Sequence, residues 1–218
     1  MKVAIVHYWL ISMRGGEKVI ESIIDLYPDV DIYTHVYDPS RISDKINKQR
    51  IYTTFINKIP LSKKIYKHLL PLMPLALKLL NLKQYDLIIS NESGPTKGII
   101  KRKDTVHICY CLTPMRYIWD MRNTYLEKLN FIERIIAKIT FSYLRKWDIK
   151  TSKSIDEIVV ISNFIKMRVK NFWNRESEVV FPPVIIESFN INDKIEDYYL
   201  VLSQLVHYKR IDIAIDAF

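Results

Sequence analysis

Short, β-branched runs return along this chain with helical stretches between them, and that recurrence limits the possible folds more than any other feature. The runs are "VAIV" near the start, "DIYTHV" from Asp31, "DLIIS" from Asp86, "VHICYC" from Val106, "EIVVIS" from Glu157 and "EVVF" from Glu178. Strands that alternate with helices pair in parallel, because each crossover helix carries the chain back to the same end of the sheet. "DLIIS" and "EIVVIS" are apolar at successive positions, as strands buried on both faces are. The expected class is therefore α/β, with a Rossmann-like, doubly wound and mainly parallel sheet.

The helices are legible too. After Gly15 and Gly16, the residues Val19, Ile20, Ile23, Ile24 and Tyr27 repeat at helical spacing until Pro28 ends the run. A longer stripe, Ile132, Ile135, Ile136, Ile139, Tyr143 and Trp147, predicts a second helix. Ser162 is placed to cap a third, carrying Ile165, Val169 and Phe172. The segment from Lys58 to Lys83 mixes lysines with leucines and contains three prolines. Two readings stand for it: helices packed on the sheet, or a basic amphipathic surface resting on anionic lipid. It is too interrupted to span a bilayer.

At 218 residues the chain has room for one substantial α/β domain and the opening of another. Residues 1–190 read as an N-terminal Rossmann-like domain. A polar stretch over 191–198 follows the Pro182-Pro183 brake and reads as a linker. Residues 199–218 read as a first strand, "YLVLS", and a partial helix, "IDIAIDAF", of a second domain cut short. The N-terminal "MKVAIVHYWL" reads as a core strand rather than a leader, since no small-residue cleavage pattern follows it.

Lys and Arg number 33 against 24 Asp and Glu, a net charge of +9, which favours anionic partners such as phosphorylated ligands or acidic headgroups. Nucleic acid has only that charge in its favour, with no recognised motif, and is not expected as a partner. Cys109 and Cys111, expected on opposite faces of one strand, form no disulfide framework, which fits a reducing cytoplasm. No ligand spacing for zinc is present, so no metal is expected.

In a doubly wound sheet, ligands gather past the carboxyl ends of the strands, so the turns there carry the candidate chemistry. In "SMRGGEKVIE", Gly15, Gly16 and Glu17 lead straight into a helix; this is either a close approach to an anion or a simple tight turn. In "SNESGPTKGII", Asn91, Glu92 and Ser93 leave a strand end, and Glu92 is either a sugar-hydroxyl ligand or base, or a solvated loop carboxylate. In "CYCLTPMRYIWD", Thr113, Arg116, Tyr117 and Asp120 crowd one turn, where Arg116 is spaced to pair with Asp120 and the aromatics to pack. Lys209 and Arg210 stand between the last apolar run and the last helix, as cations for a diphosphate or as ordinary surface.

Taken in order, "HYWLISMRGGEKVIE", "YDLIISNESGPTKGII", "HICYCLTPMRYIWD", "EIVVISNFIKMRVKNFW", "VVFPPV" and "YYLVLSQLVHYKRIDIAIDAF" resemble the retaining nucleotide-sugar glycosyltransferases of family 4, or group 1, and their bacterial O-antigen and mannosyltransferase-like branch. The resemblance implies the N-terminal half of a GT-B fold, in which two Rossmann-like domains face each other across a cleft. It implies a nucleotide-sugar donor, GDP-mannose among the candidates, a saccharide or lipid-linked acceptor, and no metal or other cofactor. It implies work at the cytoplasmic side of the cell membrane, in cell-surface polysaccharide assembly. By the same resemblance Gly15, Gly16, Lys209 and Arg210 hold donor phosphates, and Glu17, Asn91, Glu92, Ser93, Thr113, Arg116, Tyr117, Asp120 and Ser162 line the cleft.

Three departures qualify this. Relatives commonly carry a histidine where Leu112 stands, and leucine neither donates nor accepts a hydrogen bond, so no catalytic residue is assigned. Many carry an arginine where Gln204 stands. The bulk of the donor domain is missing, so the chain alone is expected not to transfer sugar, and Leu112→His is expected not to restore transfer. A non-catalytic module binding saccharide or a membrane surface is the alternative.

Overall fold

The computed structural model describes residues 1–184, 186, 190, 194, 196–203, 205 and 209–218. Two compact units emerge, 1–183 and 184–218. The first is built on strands β1 (Val3–His7), β2 (Asp31–Thr34), β3 (Arg50–Thr53), β4 (Leu87–Glu92), β5 (Val106–Cys111), β6 (Glu157–Val160) and β7 (Glu178–Val179). They form one all-parallel sheet in the order β3-β2-β1-β4-β5-β6-β7. The chain winds outward from β1 in one direction, then returns to add β4 on β1's other side. The reversal between β1 and β4 is the topological switch point of a doubly wound α/β sheet.

The helices are α1 (Gly15–Leu26), α2 (Asp44–Asn47), α3 (Ser62–Ile65), α4 (Met73–Lys78), α5 (Arg122–Glu127), α6 (Phe131–Ser152) and α7 (Asn163–Trp173). Strand period sorts the core between them, because successive side chains point to opposite faces. Val3 and Ile5 of β1 with Leu87 and Ile89 of β4 pack under α1, against Val19, Ile20, Ile23 and Ile24. Ala4, Val6 and Ile88 point the other way, into a cluster with Leu77, Leu82, Phe141, Leu144 and Trp147. On that second face Cys109, Cys111, Ile158 and Val160 meet Ile165, Val169 and Trp173 of α7. Cys109 and Cys111, two residues apart, therefore share a face rather than opposing each other, and both are buried free thiols.

In α6 the inward residues are Phe141, Leu144, Trp147, Asp148 and Ser152, while Ile132, Ile135, Ile136, Ile139 and Tyr143 are exposed. The isoleucine stripe is thus the outward face, and the core contact is made from the helix's second half. The Lys58–Lys83 segment does pack: Met73, Ala76, Leu77 and Leu82 are buried, in short helical turns separated by its prolines. In the 184–218 unit, helix α8 (Ile211–Asp216) forms, and among the described residues 199–203 are not in a strand. Gln204, and residues 191–193 and 195 of the expected linker, lie outside the described residues. Among the described residues, no helix is long and apolar enough to cross a membrane.

Candidate functional site

Two side chains reach the switch point from face and register alone. His7 ends β1 and lies opposite Asn91 near the end of β4, both on the α1 face of the sheet. Gly16 comes in from above with the first turn of α1. A Cβ built on Gly16 would sit 2.8 Å from Leu112 Cδ1, 3.2 Å from Tyr8 Oη and 3.5 Å from His7 Cε1. A side chain at 16 therefore has no room unless Leu112 moves, and this close packing is what a glycine permits. Gly15 differs: its own Cβ position has nothing within 4 Å. It opens α1 to solvent, with backbone N–H groups that lack an intrahelical partner.

Hydrogen bonds fix the floor of this crevice. Asn91 Nδ2 donates to the Gly16 carbonyl at 2.7 Å, tying β4 to α1 across 75 residues of sequence. His7 Nε2 donates to Glu17 Oε1 at 3.2 Å, and the Arg14 N–H donates to Glu17 Oε2 at 2.9 Å. Glu17 thus places a carboxylate in the first turn of α1, where the helix dipole favours it, and it fixes the His7 proton on Nε2. Both His7 and Glu17 are buried. The arrangement leaves two buried acceptors, His7 Nδ1 and Asn91 Oδ1, with no hydrogen-bond partner in the protein. Tyr8 stands beside them, its hydroxyl bonded to Ser93. Burial and then the Glu17 charge push the Tyr8 phenol up to about 12, so it remains a neutral donor across the working range.

The next residue along β4 goes elsewhere. Glu92 points to the opposite face from Asn91 and is fully buried there. It accepts from the Lys97 Nζ at 2.7 Å, the Lys97 N–H at 3.1 Å and the Thr96 hydroxyl. Lys97 Nζ also donates to Asp148 of α6, whose other oxygen accepts from Trp119 Nε1 at 2.8 Å and Trp173 Nε1 at 2.6 Å. Burial alone would push the Lys97 ammonium down, but Asp148 and Glu92 offset it and hold it above the ordinary lysine range. For Glu92 burial is the larger effect, and its carboxyl is pushed up despite the ammonium. Neither alternative read for Glu92 holds, since its oxygens are occupied inside the core. Strand alternation beside Asn91 was the signal that could have separated the two.

The crowded turn after β5 is held by a residue the sequence reading did not single out for a site. Arg168 of α7 donates to Asp120 Oδ1 at 2.6 Å, to the Pro114 carbonyl at 3.4 Å and to the Thr113 hydroxyl. Asp120 therefore pairs with Arg168 of α7, a partner 48 residues further along the chain. Tyr117 is packed against Phe141 and Tyr125 on the α6 side, away from the crevice. Ser162 accepts from the Ile165 N–H at 3.2 Å and is the N-cap of α7. Arg116 lies near Tyr8, and its positive charge favours the phenolate. Arg210 pairs with Asp212 at 3.0 Å inside the 184–218 unit, where Lys209 is exposed. The structure thus brings together Gly15, Gly16, Glu17, Asn91, Ser93 and Leu112, and adds His7 and Tyr8. It groups Thr113 and Asp120 separately, on Arg168, and sends Glu92 and Tyr117 into the core of the other face.

Among the described residues no cluster of three or more His, Cys, Asp or Glu could hold a metal ion. What the fold and crevice define is a class: a Rossmann-like, doubly wound parallel α/β unit with an anion-compatible helix start at its switch point. No family model matches this chain, and no curated protein matches it. A solved structure described as the glycotransferase of kitacinnamycin is distantly similar, at 14% identity and a TM-score of 0.33. The match covers 72% of this chain and 45% of that one, so this chain spans less than half of the similar protein's length.

Proposed function

We propose that the 1–183 unit is the acceptor-side half of a retaining, nucleotide-sugar-dependent glycosyltransferase of the GT-B type. Its role would be delivery of a hexose such as mannose to a saccharide or lipid-linked acceptor in cell-surface polysaccharide assembly. The observation that carries the reading is the switch-point crevice. There, two buried acceptors, His7 Nδ1 and Asn91 Oδ1, lie without partners beneath the open start of α1. Sugar hydroxyls supply the donors that such acceptors lack, and the N–H groups at a helix start suit the oxyanions of a leaving diphosphate. Gly15 and Gly16 would admit the donor phosphates, and Glu17 would hold His7 in the tautomer that keeps Nδ1 an acceptor. Ser93, Thr113 and Arg116 would extend the cleft wall.

A GT-B enzyme carries its donor on a second Rossmann-like domain, so by this reading the 1–183 unit binds ligand and does not turn it over by itself. Leu112 adds to this, because an aliphatic side chain against Gly16 supplies no proton or hydrogen bond to a reacting sugar. Calorimetric titration with GDP, UDP and short mannose oligosaccharides tests the assignment. At least one should bind the wild type, and Gly16→Val should weaken that binding tenfold or more. Equal binding by both proteins would remove the crevice from the account.

A further inference from the structure

The outward face of α6 has no use in the crevice, and its composition is unusual for a solvated surface. Phe131, Ile132, Ile135, Ile136, Ile139 and Tyr143 are 46–75% exposed. They recur at helical spacing over the first half of the helix, a row about 18 Å long at 1.5 Å per residue. Single exposed apolar residues need no explanation, but contiguous patches beyond a few hundred Å² mark contact surfaces. The charges around the row are mostly positive. Lys138, Lys146 and Lys150 are exposed on the same helix, with Arg134 and Arg145 beside them. Opposing them on α6 are Asp148, buried on Lys97, and Glu133, whose carboxylate accepts the Asn130 N–H at 3.1 Å in the helix cap.

The neighbouring element repeats the pattern. The Leu70–Leu72 turn and α4 pack beside α6 through Leu70 and Leu77. Their outer surface exposes Leu72, Leu75 and Leu79 together with Lys78.

We infer that the outward face of α6 docks on an anionic lipid bilayer, its isoleucine row entering the headgroup boundary and its lysines meeting the lipid phosphates. Charge complementarity selects this occupant. A second copy of the chain would bring the same exposed lysines face to face across the contact. A nucleic-acid backbone would suit the lysines and leave the apolar row without a partner. A bilayer surface takes both, as amphipathic helices with a basic rim do. The inference does not depend on what the crevice binds, and either can fail alone.

Co-sedimentation of the full 218-residue chain with vesicles tests it. Binding to phosphatidylglycerol–phosphatidylcholine vesicles should exceed binding to pure phosphatidylcholine at least tenfold and weaken with salt. Ile135→Ser with Ile139→Ser should lower the affinity about tenfold while the thermal midpoint stays within 2 °C, since both residues are exposed. A dye on Ile139→Cys gives a second readout, because the native Cys109 and Cys111 are buried; its emission should shift to the blue with anionic vesicles. No vesicle binding, undiminished binding by the double serine variant, or an unresponsive dye would overturn the inference. So would a micromolar dimer in sedimentation velocity that the double variant dissolves, which would assign the face to a second copy.

Discussion

Lys97→Met would remove the cation from a buried cluster of three charges and leave Glu92 and Asp148 facing each other. All three side chains are fully buried, so water cannot replace the ammonium. Deleting one partner of such a cluster costs about 3–5 kcal/mol. The ammonium also lies over the rings of Trp173 at 4.3 Å and Trp147 at 5.4 Å. Those contacts go with it, while a methionine retains much of the packing of the stem. A net loss of about 4 kcal/mol is expected; in a unit of 183 residues that lowers the thermal midpoint by roughly 8–16 °C.

The pH dependence carries a sign. Burial already pushes the Glu92 carboxyl up, and without Lys97 it rises further. A carboxyl whose folded pKa is raised stabilises the fold at low pH and loses that contribution as pH rises through the folded value. The variant's deficit relative to wild type should therefore shrink between pH 7.5 and pH 5. Urea unfolding of both proteins at each pH is the assay, with Glu92→Gln added to Lys97→Met to restore about half of the lost stability. A deficit under about 1 kcal/mol, or one that grows as pH falls, would refute the reasoning.

Three further outcomes follow from the geometry. Gly15→Ala should be neutral or slightly stabilising, whereas Gly16→Ala, pressed on Leu112 and Tyr8, should cost about 1–3 kcal/mol in urea unfolding. Arg168→Met should lower stability by about 2 kcal/mol and speed amide exchange at residues 113–120, because Thr113, Pro114 and Asp120 lose a shared donor. The wild type should weaken in acid from two buried histidines. His35, whose ring nitrogens engage Thr54 and the Pro95 carbonyl, is pushed down by burial to about 4, and His107 beside Ser90 to about 3. A base with a depressed folded pKa stabilises above its unfolded value near 6.5 and loses that contribution as pH falls toward the folded one. His35 alone then accounts for about 3 kcal/mol at pH 4. A urea midpoint that is flat from pH 6.5 to 4 would contradict it.

The sheet could be read from the sequence because its strands are apolar at successive positions and its α1 and α7 helices carry clear start signals. β3 escaped notice: "RIYT" is a four-residue edge strand with exposed alternate positions, too short to stand out. The α6 row was legible as a helix while its direction was not, since apolar spacing reports a face and does not say what covers it. The distinction between Asn91 and Glu92 was available from strand period alone. His7 was harder to find, because its importance comes from register with Asn91, 84 residues away, and from Glu17 at the start of the next helix. Arg168 was invisible for a similar reason: it reads as one more cation on a helix until α7 folds it against the turn after β5.

The most direct test of the central claim is amide chemical-shift mapping of isotope-labelled protein during titration with GDP-mannose and with a mannose oligosaccharide. The account predicts saturable shifts concentrated at Gly15, Gly16, Glu17, Asn91 and Leu112, around the end of β1. Shifts confined to α6, or to the 184–218 unit, with none at the switch point, would contradict it.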